Sequence, residues 1–340
     1  MRQGMYTGLG CGLVLVAGSA LAGPPVAGHV DPDAKWVVHV DLEQLNSTQL
    51  GSFLMDMVAA ETDNFEDIRE IMPNFWPGPE GGMFGITLYG AELEFEDDEI
   101  PEDFCAVIYG NENIRGWGSM LEAIALHEGF EDQLKKREIH GAQVWSMPME
   151  DSGRIYAGLV EGRSGRVAWV VSFDSGRIER SLAFFEDQDG GNELLPRDGW
   201  RAGTVAFAAT NGLNGVPMDE KASRVIGEAK SFKMRVGELK DEAFMQLALD
   251  TGDAEKAQSV MSIGQGLMAI GQLAASEDEE LAAVMRVARG LQISTSGSSV
   301  LVDFEHDAGE IVKFLRESGE FDVDVDDDRD NKDDDDHDTW

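Results

Sequence analysis

Two stretches of this chain, 170–182 (VVSFDSGRIERSL) and 302–315 (VDFEHDAGEIVKFL), are built alike at a constant offset. In each, an apolar run ends at an aspartate, Asp174 or Asp307, followed by a small residue, a glycine and an apolar helix face. An aspartate at such a corner can accept hydrogen bonds from the first free amides of the helix, so both are expected to be helix caps. Ile178 and Ile311 align, and Leu182 and Leu315 follow four residues later, on the same side of their helices.

The order of elements around these corners repeats as well. Apolar runs at 35–42, 85–90, 103–110, 142–147, 154–160 and 166–173 read as strands, with helices at 50–60, 116–126 and 175–186. A polar linker, 187–202, leads to strands at 203–210, 231–238, 243–251, 291–297 and 299–307. Helices are expected at 220–229, from about 254 past 273, at about 277–289 and at 308–318. Both halves, 23–186 and 203–319, read β-α-β-β-α-β-β-α, with one extra strand in the first. Short connections imply mainly antiparallel sheets with helices packed on one face, an α+β fold in two repeated halves. The seam between such halves is a natural place for a cleft.

Residues 1–22 carry one early charge, Arg2, a short apolar region from 9 to 17, and small residues ending in Ala20-Leu21-Ala22. This is the pattern of a cleaved secretory signal, with an apolar run well short of the ~20 residues a membrane span needs. The mature protein is therefore expected outside the cytoplasm, periplasmic or extracellular, with no membrane span. Cys11 leaves with the signal, and Cys105 remains in an apolar strand (DFCAVIYG), where a buried small side chain is expected. No intramolecular disulfide can form, so the core must hold the fold.

The formal net charge is −38, of which residues 320–340 contribute −10 and the rest −28. A surface that acidic repels nucleic acid and anionic lipid, which removes both as partners, and it suits saline water that screens the self-repulsion. The tail has eleven aspartates between Asp322 and Asp338. An EF-hand loop needs a glycine at its sixth position and a bidentate acid at its twelfth. Starting at Asp322 puts Asp327 at the sixth position, and starting at Asp326 puts His337 at the twelfth. The tail is expected to be a disordered polyanion, with weak calcium binding at Asp326, Asp328, Asp330 and Asp334 and no true cofactor.

No G-x-S-x-G, H-E-x-x-H, P-loop or G-x-G-x-x-G pattern occurs in a context that would give it meaning. His29, Asp31, Asp33, His39 and Asp41 gather within thirteen residues, as a metal site would require. Strand alternation instead makes His39 and Asp41 the polar outer face of a strand whose inner face is Trp36, Val38 and Val40. Trp76 and Phe84 flank a glycine-rich turn, where core packing is expected over ligand binding, and the serines of 294–299 read as a hairpin turn. Asn46-Ser47-Thr48 has the form of a glycosylation acceptor.

The phrases AKWVVHVDLEQL (34–45) and FGITLYG (84–90) resemble those of uncharacterised exported bacterial proteins with domains of unknown function. That resemblance implies export and carries no activity and no site. No residue is nominated as catalytic. The expectation is a non-catalytic exported protein that binds an unknown protein or small molecule through the seam or an exposed sheet surface. A hydrolase with a carboxylate- or serine-based site at the seam, or weak cation buffering by the acidic surface and tail, are the alternatives.

Overall fold

The computed structural model describes residues 25–61, 82–93, 103–127, 129–149, 153–161, 167–186, 192–196, 200–213 and 226–318. The signal segment, Trp76, most of the expected helix at 220–229 and the whole tail, with Asp326, Asp328, Asp330 and Asp334, lie outside these residues.

Among the described residues twelve strands form one sheet. They are β1 (Trp36–Asp41), β2 (Met83–Gly90), β3 (Cys105–Gly110), β4 (Lys135–Ile139), β5 (Ala142–Met149), β6 (Gly153–Glu161) and β7 (Val167–Ser172) in the first half. The second half adds β8 (Thr204–Thr210), β9 (Ser231–Leu239), β10 (Glu242–Asp250), β11 (Leu291–Ser296) and β12 (Ser299–Asp307). The order across the sheet is β11-β12-β10-β9-β8-β1-β2-β3-β7-β6-β5-β4, and every neighbouring pair is antiparallel. Read outward from the centre, the first half runs 1-2-3-7-6 and the second 8-9-10-12-11. The β4–β5 hairpin is the surplus of the first half. β4 (KKREI) is charged and exposed along most of its length, which blunts the sheet edge and erases the apolar alternation that would announce a strand.

The seam is a pair of hydrogen-bonded strands rather than a gap. β1 pairs with β8 from Trp36↔Thr210 to Val40↔Ala206, so the expected cleft is replaced there by continuous sheet. Backbone groups on two strand edges find partners in each other, which an open cleft would leave to water.

Among the described residues the α-helices are α1 (Leu42–Ser47), α2 (Gln49–Glu61), α3 (Trp117–His127), α4 (Ser175–Glu186), α5 (Ala254–Ala274), α6 (Glu279–Val287) and α7 (Ala308–Glu317). As expected for an α+β fold, most of them cover one face, the one that presents Trp169, Ile108, Val236, Met245 and Phe304. α4 lies on the opposite face, where Ile178 and Leu182 join Val37, Tyr89, Val107, Val144 and Val170 in the main core. Leu194 and Leu195, from the segment expected to link the halves, are buried in that same core. The closing helices α4 and α7 thus start from like-placed corners and turn to different faces.

Aspartates do much of the local work. Asp41 accepts from Gln44 N, Asp174 from Arg177 N at 2.6 Å, Asp253 from Glu255 N and Lys256 N, Asp278 from Leu281 N, and Asp307 from Glu310 N at 2.9 Å. Each satisfies a helix amide that has no partner inside its helix. Among the described residues no helix is long and apolar enough to cross a membrane.

Candidate functional site

On the face opposite most of the described helices, α4, residues 192–196 and Trp200 cover the first half and reach β8, where Trp200 meets Phe207. The step between covered and bare sheet forms a basin of about 640 Å³. Glu193 and Pro196 make its wall, Phe207 of β8 its inner corner, and β9, β10 and β12 its floor. Alternation explains the floor: Met234, Val236, Met245, Leu247 and Phe304 point toward the helices, leaving Lys233, Arg235, Gln246 and Asp303 on the bare side.

Those four side chains form an ordered row. Arg235 Nε donates to Gln246 Oε1 at 2.7 Å, and Gln246 Nε2 donates to Asp303 Oδ1 at 2.8 Å. Lys233 Nζ reaches the wall and donates to the Glu193 carbonyl at 3.1 Å. Beyond them Arg201 lies over the Phe244 ring, 3.8 Å from its centroid, and pairs with Glu305 at 2.7 Å. The result is a shallow polar surface with two cations on one strand, in a protein where acids outnumber bases 65 to 27. Two carboxylates converging on one point, as acid–base hydrolysis requires, are not part of this row.

The histidine–aspartate cluster near the start of the described chain is taken apart by the fold. His39 is buried with Nδ1 2.8 Å from Thr87 Oγ1, and its ring meets Trp200 edge-on. His29 stacks on Phe185 with centroids 3.7 Å apart and lies 3.3 Å from the Tyr109 hydroxyl. Asp31 pairs with Arg177 at 2.6 Å, and Asp41 caps α1. The expected polar outer face of β1 is therefore wrong: Val37, His39 and Asp41 face inward, and Trp36, Val38 and Val40 are half-buried. The cover supplied by α4, Trp200 and residues 192–196 comes from distant sequence, so β1 alone could not reveal which side it buries. Among the described residues no cluster of three or more metal-type ligands is close enough to hold an ion.

Beneath α4 lies a buried ionic group that composition hid. The Arg177 guanidinium, 3% exposed, donates to Asp31 Oδ2 at 2.6 Å and to Asp103 Oδ2 at 2.9 Å. Asp103 also accepts from the Ala91 and Glu92 amides, and Asn192 Nδ2 donates to the Asp31 carbonyl at 2.7 Å. Next to it the Tyr89 hydroxyl donates to Ser181 Oγ at 2.8 Å beside Cys105, and burial pushes the Cys105 thiol up to about 11. A thiol so placed is an inert packing group. Phe84, flagged beside the glycine-rich turn, is buried in β2.

No family model matches the chain, and no curated protein matches it. Two solved structures, crystal forms I and IV of TP0453, are similar to 87% and 86% of this chain and to 98% and 97% of theirs. Their identities to it are 10% and 11%, with TM-scores of 0.43 and 0.42, too low to transfer a fold or a site.

Proposed function

We propose that this is an exported, non-catalytic binding protein that takes a small polar ligand with an acidic group in the basin beside the seam. The observation that carries the reading is the row Lys233–Arg235–Gln246–Asp303, held by hydrogen bonds among its members and to Glu193 on a part of the sheet that none of the described helices covers. Preset polar groups beside an apolar corner, here Phe207, are what small-ligand sites share. Two cations on one strand give an anionic group a local anchor against the general negative field. Export rests on the signal pattern of residues 1–22. The matching strand orders, 1-2-3-7-6 and 8-9-10-12-11, support reading the two halves as a duplication.

The test is a thermal-shift and calorimetry screen with small carboxylates and their neutral amides. A carboxylate should raise the unfolding temperature of the protein, and Arg235→Ala with Lys233→Ala should abolish the shift without altering the unliganded transition. If amides bind as well as acids, or if the double variant binds unchanged, the basin is not the site. Ester or glycoside hydrolysis lost in Asp303→Asn would overturn the non-catalytic reading.

A further inference from the structure

On the face opposite the basin, α2, α6 and α7 lie over the second half of the sheet and bound a cavity of about 480 Å³ with it. Val236, Met245 and Phe304 face it from the sheet, and Val287 of α6 with Ile311 and Phe314 of α7 face it from the helices. All six are only half-buried, although they lie between the two layers. In the first half the same layer is occupied by Trp117, Trp145 and Trp169, all buried and packed on one another. Protein interiors carry few voids larger than a water molecule, so packing alone does not account for an apolar space of this size.

We propose that this cavity binds the aliphatic chain of a single-chain lipid, with the tail inside and the head group at the opening. Shape is the first reason. The lining runs from Val205 of β8 to Leu291 of β11, the two ends of five adjacent strands, which is roughly 19 Å at the ~4.8 Å spacing of paired strands. A volume of about 480 Å³ spread over that length leaves the width of one chain rather than of a fused ring system. The lining chemistry is the second. Its two polar side chains among the described residues are engaged within the protein: Thr48 Oγ1 donates to the Leu45 carbonyl at 3.0 Å, and both Glu238 oxygens accept from amides that open α2. Water or a polar ligand would be poorly held there, whereas each buried methylene should tighten binding about 4-fold. Charge sets the direction. Glu238 is buried and repels an anionic head from the interior, while the two most exposed lining side chains, Leu54 and Val284, mark where a head can meet water.

The test is calorimetry and thermal shift on the full chain with lysophosphatidylcholines of increasing chain length, below their micelle concentrations, and with glycerophosphocholine, which has the head and no chain. One lysolipid should bind per protein, tightening with each methylene and levelling off once the cavity is filled, and glycerophosphocholine should not bind. Fatty acids of the same lengths form a second arm, and the tighter arm names the source of the chain. Val236→Trp should fill the cavity and remove binding, with circular dichroism confirming the fold. Val284→Glu changes only an exposed position at the opening and should weaken binding about 10-fold, the loss of roughly two methylenes' worth of contact. Leu267→Glu, an equally accessible apolar site on α5 away from the cavity, should bind as the parent does. Lys233→Ala with Arg235→Ala should also leave chain binding intact, so the basin and the cavity stand or fall separately. Several lipids per protein, loss of binding in Leu267→Glu, unchanged binding in Val236→Trp, or no binding in either arm would each overturn the proposal.

Discussion

At the residue scale the most consequential side chain is Arg177. It bridges Asp31 and Asp103 where solvent is excluded, and those acids in turn hold the 31–33 turn and the amides of Ala91 and Glu92. Replacing one member of a buried ionic group strands the others without compensation. Arg177→Met should lower unfolding free energy by about 3–5 kcal/mol in urea titrations, against less than about 1 kcal/mol for the exposed Lys313→Met. Cys105 and Tyr89 set the alkaline limit. Burial raises the Cys105 thiol from its ordinary 9.0 to about 11, so above pH 9 the unfolded chain has lost a proton that the fold retains. Stability must then fall between pH 9 and about 11, by about 3 kcal/mol for that group at the upper end. The Tyr89 phenol is pushed the same way by burial and extends the decline above its ordinary value of about 10. Denaturant titrations at pH 8 and 10.5 check this, and Cys105→Ala should flatten the first part of the slope.

At the element scale the halves are stitched by a helix that crosses between them. α2 follows β1 in sequence, yet its N-terminus is held by Glu238 of β9, whose two oxygens accept from Gln49 N at 3.1 Å and Leu50 N at 3.0 Å. Gln49 also donates to Asp241 at 2.8 Å, and Arg316 of α7 lies over Phe53 of α2. A carboxylate at a helix start satisfies free amides and meets the positive end of the helix dipole. Glu238→Ala should cost about 2 kcal/mol and increase amide exchange at residues 49–52 first. The corner aspartates 174 and 307 were legible because a cap depends only on residues three apart. Glu238 was not, because its partners lie 189 and 188 residues away.

At the scale of the whole molecule one sheet runs through both halves, so there is no weak boundary at which to divide it. Separately expressed 23–186 and 203–319 would each expose a central strand edge, and the second would lose α2 from beneath its sheet. Neither should show a cooperative thermal transition alone, whereas removing 320–340 from the full chain should leave its transition in place; two independently melting halves would refute this. Most of the strands, their antiparallel pairing and several helix starts follow from sequence alone, because alternation, turns and caps are local, whereas the order of strands in one sheet does not. Which side of β1 is buried, where Arg177 finds its two acids and why the seam closes needed the tertiary structure. So did the basin, whose floor comes from β9, β10 and β12 and whose wall comes from residues 193–196. Local periodicity shows that a strand has two faces; only the elements that arrive from elsewhere in the chain determine which face is covered.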